Sequence, residues 1–488
     1  VAYLLFDIGS SSLKAGVIAE DGRLLGLARR ALPLSYASVD QGGAERMAHE
    51  TDATLWAEAA FSAGAEALAA ARRSIERGSL ELRAISVSGN GPTLLAVDAA
   101  GEPLGPALSW LDGRAKDEAG EVSALAGRVI DPTFYLPKAL RLWRLADQGL
   151  RDRIRWFFSC PEYLLFALCG RALTYLPHPG YEPYIWNESL IRGVDLPLDR
   201  FPPFAAPATC AGSLLPSAAQ RLGLGADIPV VTGFPDFLAA IVGSACVEVG
   251  LACDRSGTSE AINLCAQRPY PTRALLSLPH PVTGLWNVSG GVSTSGAALE
   301  WLSRALDSKG DADVAALLAD ARLSPPGARG LVFLPYLAGE RAPLWDSRRR
   351  AAFAGLSLEQ GRREMARAVC ESLAFGLKLS MDLAVAEGLP FSLLRVSGPS
   401  AGDDFLCELK ADILGVPVEA PELGDCELLG DAAACALALG DAASLQQSAS
   451  SLIRIRRRFE PRHQEAYARA FASYEAALRA LAPVDHAR

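Results

Sequence analysis

Near the start of the chain, Asp7-Ile8-Gly9-Ser10-Ser11-Ser12 sets a carboxylate two residues ahead of a glycine and three hydroxyls, with Lys14 just beyond. A glycine lets the backbone approach an anion closely, the serines offer hydroxyl and amide donors, and Lys14 adds positive charge. Asp7 suits a hydrated magnesium ion, which takes few carboxylates and keeps most of its waters. Later, Asp254-Arg255-Ser256-Gly257-Thr258-Ser259 repeats the pairing of an acid with a Gly/Ser/Thr cluster. Between the two, Asp236 follows Gly233-Phe234-Pro235 at the end of an apolar run, where open α/β folds place reactive groups. Phosphoryl transfer needs donors around the phosphates, a metal tied to an acid, and a base for the attacking hydroxyl. The chain offers all three. Each piece also has a plain reading: a hairpin whose Asp7 caps a turn, an ordinary Ser/Thr turn at Ser256 to Ser259, and a helix N-cap at Asp236.

The elements that must position these residues follow from the apolar pattern. Tyr3 to Phe6 and Leu13 to Ile18 read as strands on either side of the serine loop, and Asp21-Gly22 turns the chain again. A Walker loop would need a helix after its glycines and a closing Gly-Lys-Ser/Thr, so this segment reads as a phosphate hairpin instead. An Ala-rich helix is expected over 52–77. It is followed by a strand at Ala84 to Val87, a Ser88-Gly89-Asn90-Gly91-Pro92 loop and a strand at Leu94 to Val97. Tyr175 to Pro207 is rich in proline and aromatics without clear periodicity and reads as a long irregular insertion near a cleft. A buried strand at Ile228 to Gly233 runs into Asp236 and a helix from Phe237 to Cys246. The acid and hydroxyl cluster then recurs ahead of a strand at Ala261 to Cys265, which suggests a duplicated architecture. In that arrangement the second loop would face the first across a cleft. Beyond it the pattern gives helices at Gly290 to Leu302, Gln360 to Glu387, Asp403 to Leu414 and Pro461 to Leu481. Strands are expected at Gly330 to Leu334 and Leu393 to Ser397. Alternating strands and helices make this an α/β protein, divided into 1–242 and 243–488.

Composition bounds the partners. The 488 residues are 50% hydrophobic and 21% charged, enough for two large domains. A net charge of −9 and a pI near 5.3 disfavour a nucleic-acid surface. The basic runs Arg348-Arg349-Arg350 and Arg454-Ile455-Arg456-Arg457-Arg458 are short and flanked by acids, and read as solvated faces. Ten cysteines, none in a Cys-x-x-Cys pair, read as reduced core residues, and the five histidines show no metal-ligand spacing. Val1 to Phe6 opens as a strand rather than a leader, and no stretch reaches the length of a membrane span. The expectation is a cytoplasmic protein bound neither to membrane nor to nucleic acid.

Taken in order, these pieces resemble the FGGY family of carbohydrate kinases. The resemblance is carried by Phe6 to Lys14, Ser88-Gly89, Trp110-Leu111-Asp112-Gly113-Arg114, Lys138 and Gly233 to Asp236. It continues through Ser256-Gly257-Thr258-Ser259, Gly296-Ala297-Ala298-Leu299-Glu300-Trp301-Leu302, Leu334 to Pro343 and Ala411 to Gly415. It implies two ribonuclease H-like domains of the actin-like ATPase type around a central cleft, sugar held mainly by the first and nucleotide by the second. The implied cofactors are ATP and Mg2+. By resemblance Asp236 is the catalytic base and Asp7 the magnesium-linked acid. Gly9, Ser10, Ser11, Ser12 and Lys14 belong to the first phosphate loop, and Gly257 and Thr258 to the second. Gly296 and Glu300 help form the nucleotide pocket, Gly398, Ser400 and Asp404 the loop beneath adenine, and Trp110, Asp112 and Arg114 a motif beside the sugar.

Departures from the family pattern bear on specificity. Asn90-Gly91-Pro92 replaces the Gln-Met-His of xylulose kinases and the Gln-Arg-Glu of glycerol kinases, leaving Asn90 to bond a substrate hydroxyl. Pro399 follows Gly398 where a second glycine is usual, and removes one amide donor. Phe234-Pro235 stands where small residues usually precede Asp236. Glu260 follows the second loop in place of a small residue, and would repel a phosphate unless it turns away or reaches a metal. A ketose such as xylulose is the expected substrate, and a nucleotide-binding regulator of the same fold is the rival reading. Dimers are common in the family, so a homodimer is the assembly the resemblance implies.

Overall fold

All seven residues from Ala2 to Ile8 are buried, so the first strand (β1) lies inside a sheet and is covered on both faces. The computed structural model describes residues 1–33, 49–75, 79–307 and 312–486. Its strands and helices form two compact α/β units, 1–243 with 427–453, and 244–426 with 454–488.

In the first unit, β1 (Ala2–Ile8), β2 (Ser12–Ala19), β3 (Leu24–Ala31), β4 (Leu82–Gly89), β5 (Cys210–Ser213) and β6 (Pro229–Pro235) form one sheet in the order β5-β6-β4-β1-β2-β3. The meander β1-β2-β3 is antiparallel, whereas β4 and β6 run parallel to β1. The helix Thr54–Ser74 buries Trp56, Ala60, Ala63, Ala67 and Ala71. Small side chains let it approach so closely that a Cβ on Gly26 of β3 would fall 2.2 Å from the Ala67 carbonyl oxygen. It ends short of the expected 77, and residues 76 and 77 lie outside the described residues. The span from Tyr175 to Pro207, expected to be irregular, contains short helices at Glu182–Ile185 and Glu188–Gly193, the latter capped by Asn187. Its ends are tied by a two-stranded sheet of Thr174–Tyr175 and Phe204–Ala205.

A single cut after residue 242 does not separate the units, because Glu427–Ile453 belongs with the first. Gly430 lies against the Ala239 carbonyl, where a Cβ would come within 2.0 Å, and Leu428 packs on Gly16. Asp441 accepts from the Tyr3 hydroxyl at 3.2 Å and pairs with Arg83 at 2.7 Å.

The second unit carries β7 (Leu251–Ser256), β8 (Glu260–Ala266), β9 (Leu276–Pro279), β10 (Trp286–Val292), β11 (Leu393–Ser397), β12 (Val418–Pro421) and β13 (Ile455–Phe459), ordered β9-β10-β8-β7-β11-β12-β13. The stretch expected to be helical from Gly290 is still strand to Val292, since β10 pairs with β8 over its whole length. The helix starts at Gly296. The long helix Arg362–Ala386 and the helix Asp404–Leu414 complete the core, the latter capped by Asp403 through the Phe405 and Leu406 amides. All ten cysteines are free thiols, and Cys210 alone is exposed rather than buried in the core. Among the described residues no helix is long and apolar enough to cross a membrane.

Candidate functional site

Three parallel neighbours set one edge of the first unit. Register pairs Ile8 with Gly89 and Gly89 with Pro235, so β1, β4 and β6 end level with one another. Asp7, Asn90 and Asp236, distant in sequence, therefore emerge at the same carboxyl edge, the place where open α/β sheets bind ligands. Asp7 is buried at 2% exposure and faces Lys14 across the hairpin, its carboxylate 3.2 Å from Nζ. Lys14 also reaches Glu427 at 3.7 Å, so its charge is shared between two acids of this unit. Gly9 donates its amide to the Ser12 carbonyl at 2.9 Å, and a Cβ on Gly9 would lie at the same distance from that oxygen. The tight turn explains the glycine. It leaves the exposed Ser11 at the tip, while Ser12 already belongs to β2 and pairs with Ala31 of β3.

Asp236 is the first residue of the helix Asp236–Gly243, and its carboxylate accepts from the Phe237 amide at 2.6 Å. The strand-end position and the helix-start position expected from the sequence therefore coincide in one residue. An acid at a helix N-terminus has its charged form favoured, which is the form a proton acceptor needs.

The residues expected beside a sugar form one connected group. The Trp110 indole donates to Ser10 Oγ at 2.7 Å and the Trp110 amide to Thr93 Oγ1 at 3.1 Å, linking the motif directly to the first loop. Asp112, 1% exposed, accepts from the His49 amide and from the backbone and guanidinium of Arg114, and Arg114 reaches on to Glu50 at 2.6 Å. Asp112 thus orients Arg114. Asn90 is tied into the same loops. Its side-chain amide donates to the Ile8 carbonyl at 3.0 Å and its oxygen accepts from Thr93 at 2.5 Å, so both ends already serve the protein. Lys138 is fully buried and donates to the Pro92 and Ser109 carbonyls, both at 2.6 Å. It joins the loop after β4 to the loop carrying Trp110. Burial lowers its pKa to about 7.

In the second unit, the Gly257 carbonyl accepts from the Gly296 amide, and the Thr258 carbonyl from the Ser295 and Ala297 amides, at 2.9 to 3.2 Å. In a trans peptide the N–H points opposite to the C=O, so the Thr258 and Ser259 amides are turned away from the helix Gly296–Leu306. Two adjacent outward amides suit an anion. Ser256 Oγ donates to the Ser397 carbonyl and accepts from the Ser400 amide, which seats the Gly398–Ser400 turn under the loop. Gly398 holds φ +84° and ψ −162°, and a Cβ there would lie 2.0 Å from the Ser256 carbonyl oxygen. Glu300 lies on the exposed side of its helix, 3.7 Å from Arg304. Asp404 pairs with Arg456 at 2.8 Å and with Arg457, and those bonds hold its pKa below the ordinary value. Part of the second basic run is therefore committed to Asp404.

Glu260 does not approach the loop as a repulsive charge. It is 3% exposed and turns into the core, where it meets Lys410 Nζ at 2.6 Å and Ser295 Oγ at 2.7 Å. Glu340, part of another resembling segment, accepts from the Ser293 amide and hydroxyl and from the Arg341 amide, so it fixes its loop. His280 is buried, bonded to the Cys246 carbonyl and the Val282 amide, and burial lowers its pKa to about 4, a structural neutral imidazole.

Two acids went unremarked in the sequence. Glu427 shares Lys14, and Asp431 is fully buried against β6, where a Cβ on Gly233 would lie 2.4 Å from Oδ1. Burial holds the Asp431 pKa well above the carboxylate range, with Asp7 and Glu427 adding to the effect, although Ser88 and the Phe234 amide oppose it. Its signal was a lone acid inside the otherwise apolar run Leu428 to Ala438. Among the described residues no group of three or more His, Cys, Asp or Glu side chains is arranged to hold a metal. The donor set at Asp7, one carboxylate beside a hydroxyl, fits an ion that keeps its waters.

Comparison with known proteins bears on both units. The N-terminal domain model of the FGGY family of carbohydrate kinases matches residues 2–243, and the C-terminal domain model of that family matches 255–439. The chain is 27% identical over 441 residues to the xylulose kinase of Escherichia coli K12, covering 87% of each protein. It is 31% identical over 419 residues to a glycerol kinase of Ectopseudomonas mendocina, covering 79% of this chain and 82% of that one. Plasmodium falciparum glycerol kinase, solved with ADP, shares the fold with a TM-score of 0.81 at 18% identity, over 98% of this chain and 97% of that one.

Proposed function

The chain belongs to the FGGY family of carbohydrate kinases, and from that premise we propose that it transfers the γ-phosphoryl group of ATP to a hydroxyl of a ketose such as xylulose. The observation that carries this reading is the level ending of β1, β4 and β6. It gathers Asp7, the Asn90 loop and Asp236 at one sheet edge. Asp236 accepts the proton of the attacking hydroxyl, its charge favoured by its place at a helix N-terminus. Ser10, tied to Trp110, couples the sugar-side motif to the first phosphate loop, so sugar and phosphate are positioned by one hydrogen-bonded group. The outward amides of Thr258 and Ser259 take phosphate oxygens. When bound, magnesium supplies charge neutralisation on the phosphates, and Asp7 holds its water shell.

A ketose is preferred to glycerol because the Asn90-Gly91-Pro92 segment lacks the charged pair of glycerol kinases. The side chains set to meet the substrate are Asn90, whose amide keeps a second N–H beyond its bond to Ile8, with Trp110, Arg114 and Asp236. The test is ADP release with magnesium and ATP across ketoses, alditols and sugar acids. Turnover confined to one or two ketoses supports the reading. Faster turnover of glycerol than of any ketose overturns the substrate assignment, and release of ADP with none of them overturns the kinase reaction in favour of a regulator.

A further inference from the structure

A buried charge cluster of the second unit lies directly beneath the loop Ser256 to Ser259. Lys410, 3% exposed on the helix Asp404–Leu414, places Nζ 2.5 Å from Asp254 Oδ2 and 2.6 Å from Glu260 Oε1. Asp254 and Glu260 sit on the two strands that carry the loop. Register pairs Ser256 with Glu260 and Asp254 with Ile262, so the two acids are diagonal neighbours on one face of the hairpin. Glu260 passes the connection on through its second oxygen to Ser295 Oγ, and the Ser295 amide holds the Thr258 carbonyl. A continuous chain of bonds therefore runs from the ammonium to the backbone of the loop.

We propose that Lys410 is a positioning residue for nucleotide phosphate binding, fixing both feet of the Ser256–Ser259 loop and keeping the ground beneath it electrically neutral. This rests on the reading of that loop as a phosphate loop. One cation and two carboxylates carry a net negative charge unless one acid keeps its proton. Asp254 is the one that keeps it. Burial, together with the Glu260 charge, raises its pKa well above the usual carboxylate range against the pull of Lys410, and its Oδ1 has no hydrogen-bond partner. Glu260, which has both Lys410 and Ser295, stays ionised. The titratable groups facing Asp254 are Lys410 and Cys407 from the helix and Glu260 from β8, while its partner on β11 is Val396. With Asp254 protonated the cluster is neutral; as rising pH ionises Asp254, a negative charge appears under the site that must hold phosphates.

The test is calorimetric binding of magnesium-ATP to the full chain at pH 7 and pH 9, with wild type, Asp254→Asn and the double variant Lys410→Met/Glu260→Gln. The wild type is expected to bind several-fold more weakly at pH 9. Asp254→Asn, which imitates the protonated acid, is expected to match the wild type at pH 7 and to lose most of the pH dependence. The double variant strands no charge and is expected to bind at least about tenfold more weakly at both pH values while melting cooperatively. Equal pH dependence in wild type and Asp254→Asn overturns the inference, as does wild-type affinity in a folded double variant. Should the double variant not fold, the Asp254→Asn comparison decides alone. A wild type that binds no nucleotide at either pH overturns instead the kinase reading beneath it.

Discussion

Lys138 shows what a single buried polar side chain does here. Its ammonium makes two short bonds, to Pro92 and Ser109, and no acidic partner shares it within ion-pair distance among the described residues. Replacement by Met would leave the Pro92 carbonyl without its donor, at a cost of about 1–3 kcal/mol, while the Ser109 carbonyl keeps the Asp112 amide at 2.9 Å. Lys138→Met is therefore expected to lower the unfolding free energy by roughly 1–3 kcal/mol, measured by denaturant titration. Because Lys138 ties the loop after β4 to the loop of Trp110, the sugar KM is expected to rise about tenfold or more, with magnesium-ATP affinity unchanged. A variant with wild-type stability and sugar KM would show that the clamp is idle.

At this scale the sequence displayed residue types and hid their partners. The acid of Asp7 beside the hydroxyls of Ser10 to Ser12, and the strand-end place of Asp236, were legible because each rests on a short contiguous stretch of chain. That Asn90 bonds Ile8 and Thr93, that Asp404 holds two arginines of β13, and that Glu260 meets Lys410 depend on contacts 52 to 150 residues apart, except for Thr93. No local pattern records such pairings.

Elements set the site through register and close approach. The parallel run of β4 and β6 beside β1 requires crossover connections, which the helix Thr54–Ser74 and the chain between residues 90 and 228 supply. These strands were legible as apolar runs; their order in the sheet was not. Gly290 to Val292, the end of the strand Trp286–Val292, was read as the start of a helix. In the sheet Gly291 permits close pairing instead, since a Cβ there would lie 2.2 Å from the Glu260 carbonyl oxygen. Gly398 is likewise set by close approach. Its φ and ψ lie in a region that essentially only glycine enters, at a cost of order 1–3 kcal/mol for other residues, and its missing Cβ makes room for Ser256. Gly398→Ala is expected to lower the melting temperature by several degrees and weaken nucleotide binding about tenfold or more, since the turn seats the second loop. Sugar KM in saturating ATP should change little. Unchanged nucleotide affinity would contradict the coupling between turn and loop.

For the whole molecule, the chain path matters as much as the halves. The segment Glu427–Ile453 returns to the first unit and brings Leu428, Asp431 and Asp441 into its core and surface. A fragment ending at residue 243 would expose the face that Leu428 covers on Gly16 and leave Arg83 without Asp441. Such a fragment is expected to bind a hydrophobic dye and to lack a cooperative melt, whereas the intact chain melts cooperatively. A cooperative transition in the fragment would show that residues 427–453 are dispensable. The return was invisible in the sequence because Cys426 to Ala438 is apolar throughout much of its length and reads as ordinary core of the half in which it occurs.

Acceptance of a proton by Asp236 while phosphate moves to a sugar hydroxyl is open to rapid-quench measurement of phosphorylated ketose in a single turnover, wild type against Asp236→Asn, with magnesium-ATP binding measured on the same preparations. The rate is expected to fall by about 10²- to 10⁴-fold in Asp236→Asn, with nucleotide affinity and melting temperature close to wild type. A variant that forms phosphorylated sugar at the wild-type rate would contradict it, and would leave Asp236 as the cap of its helix.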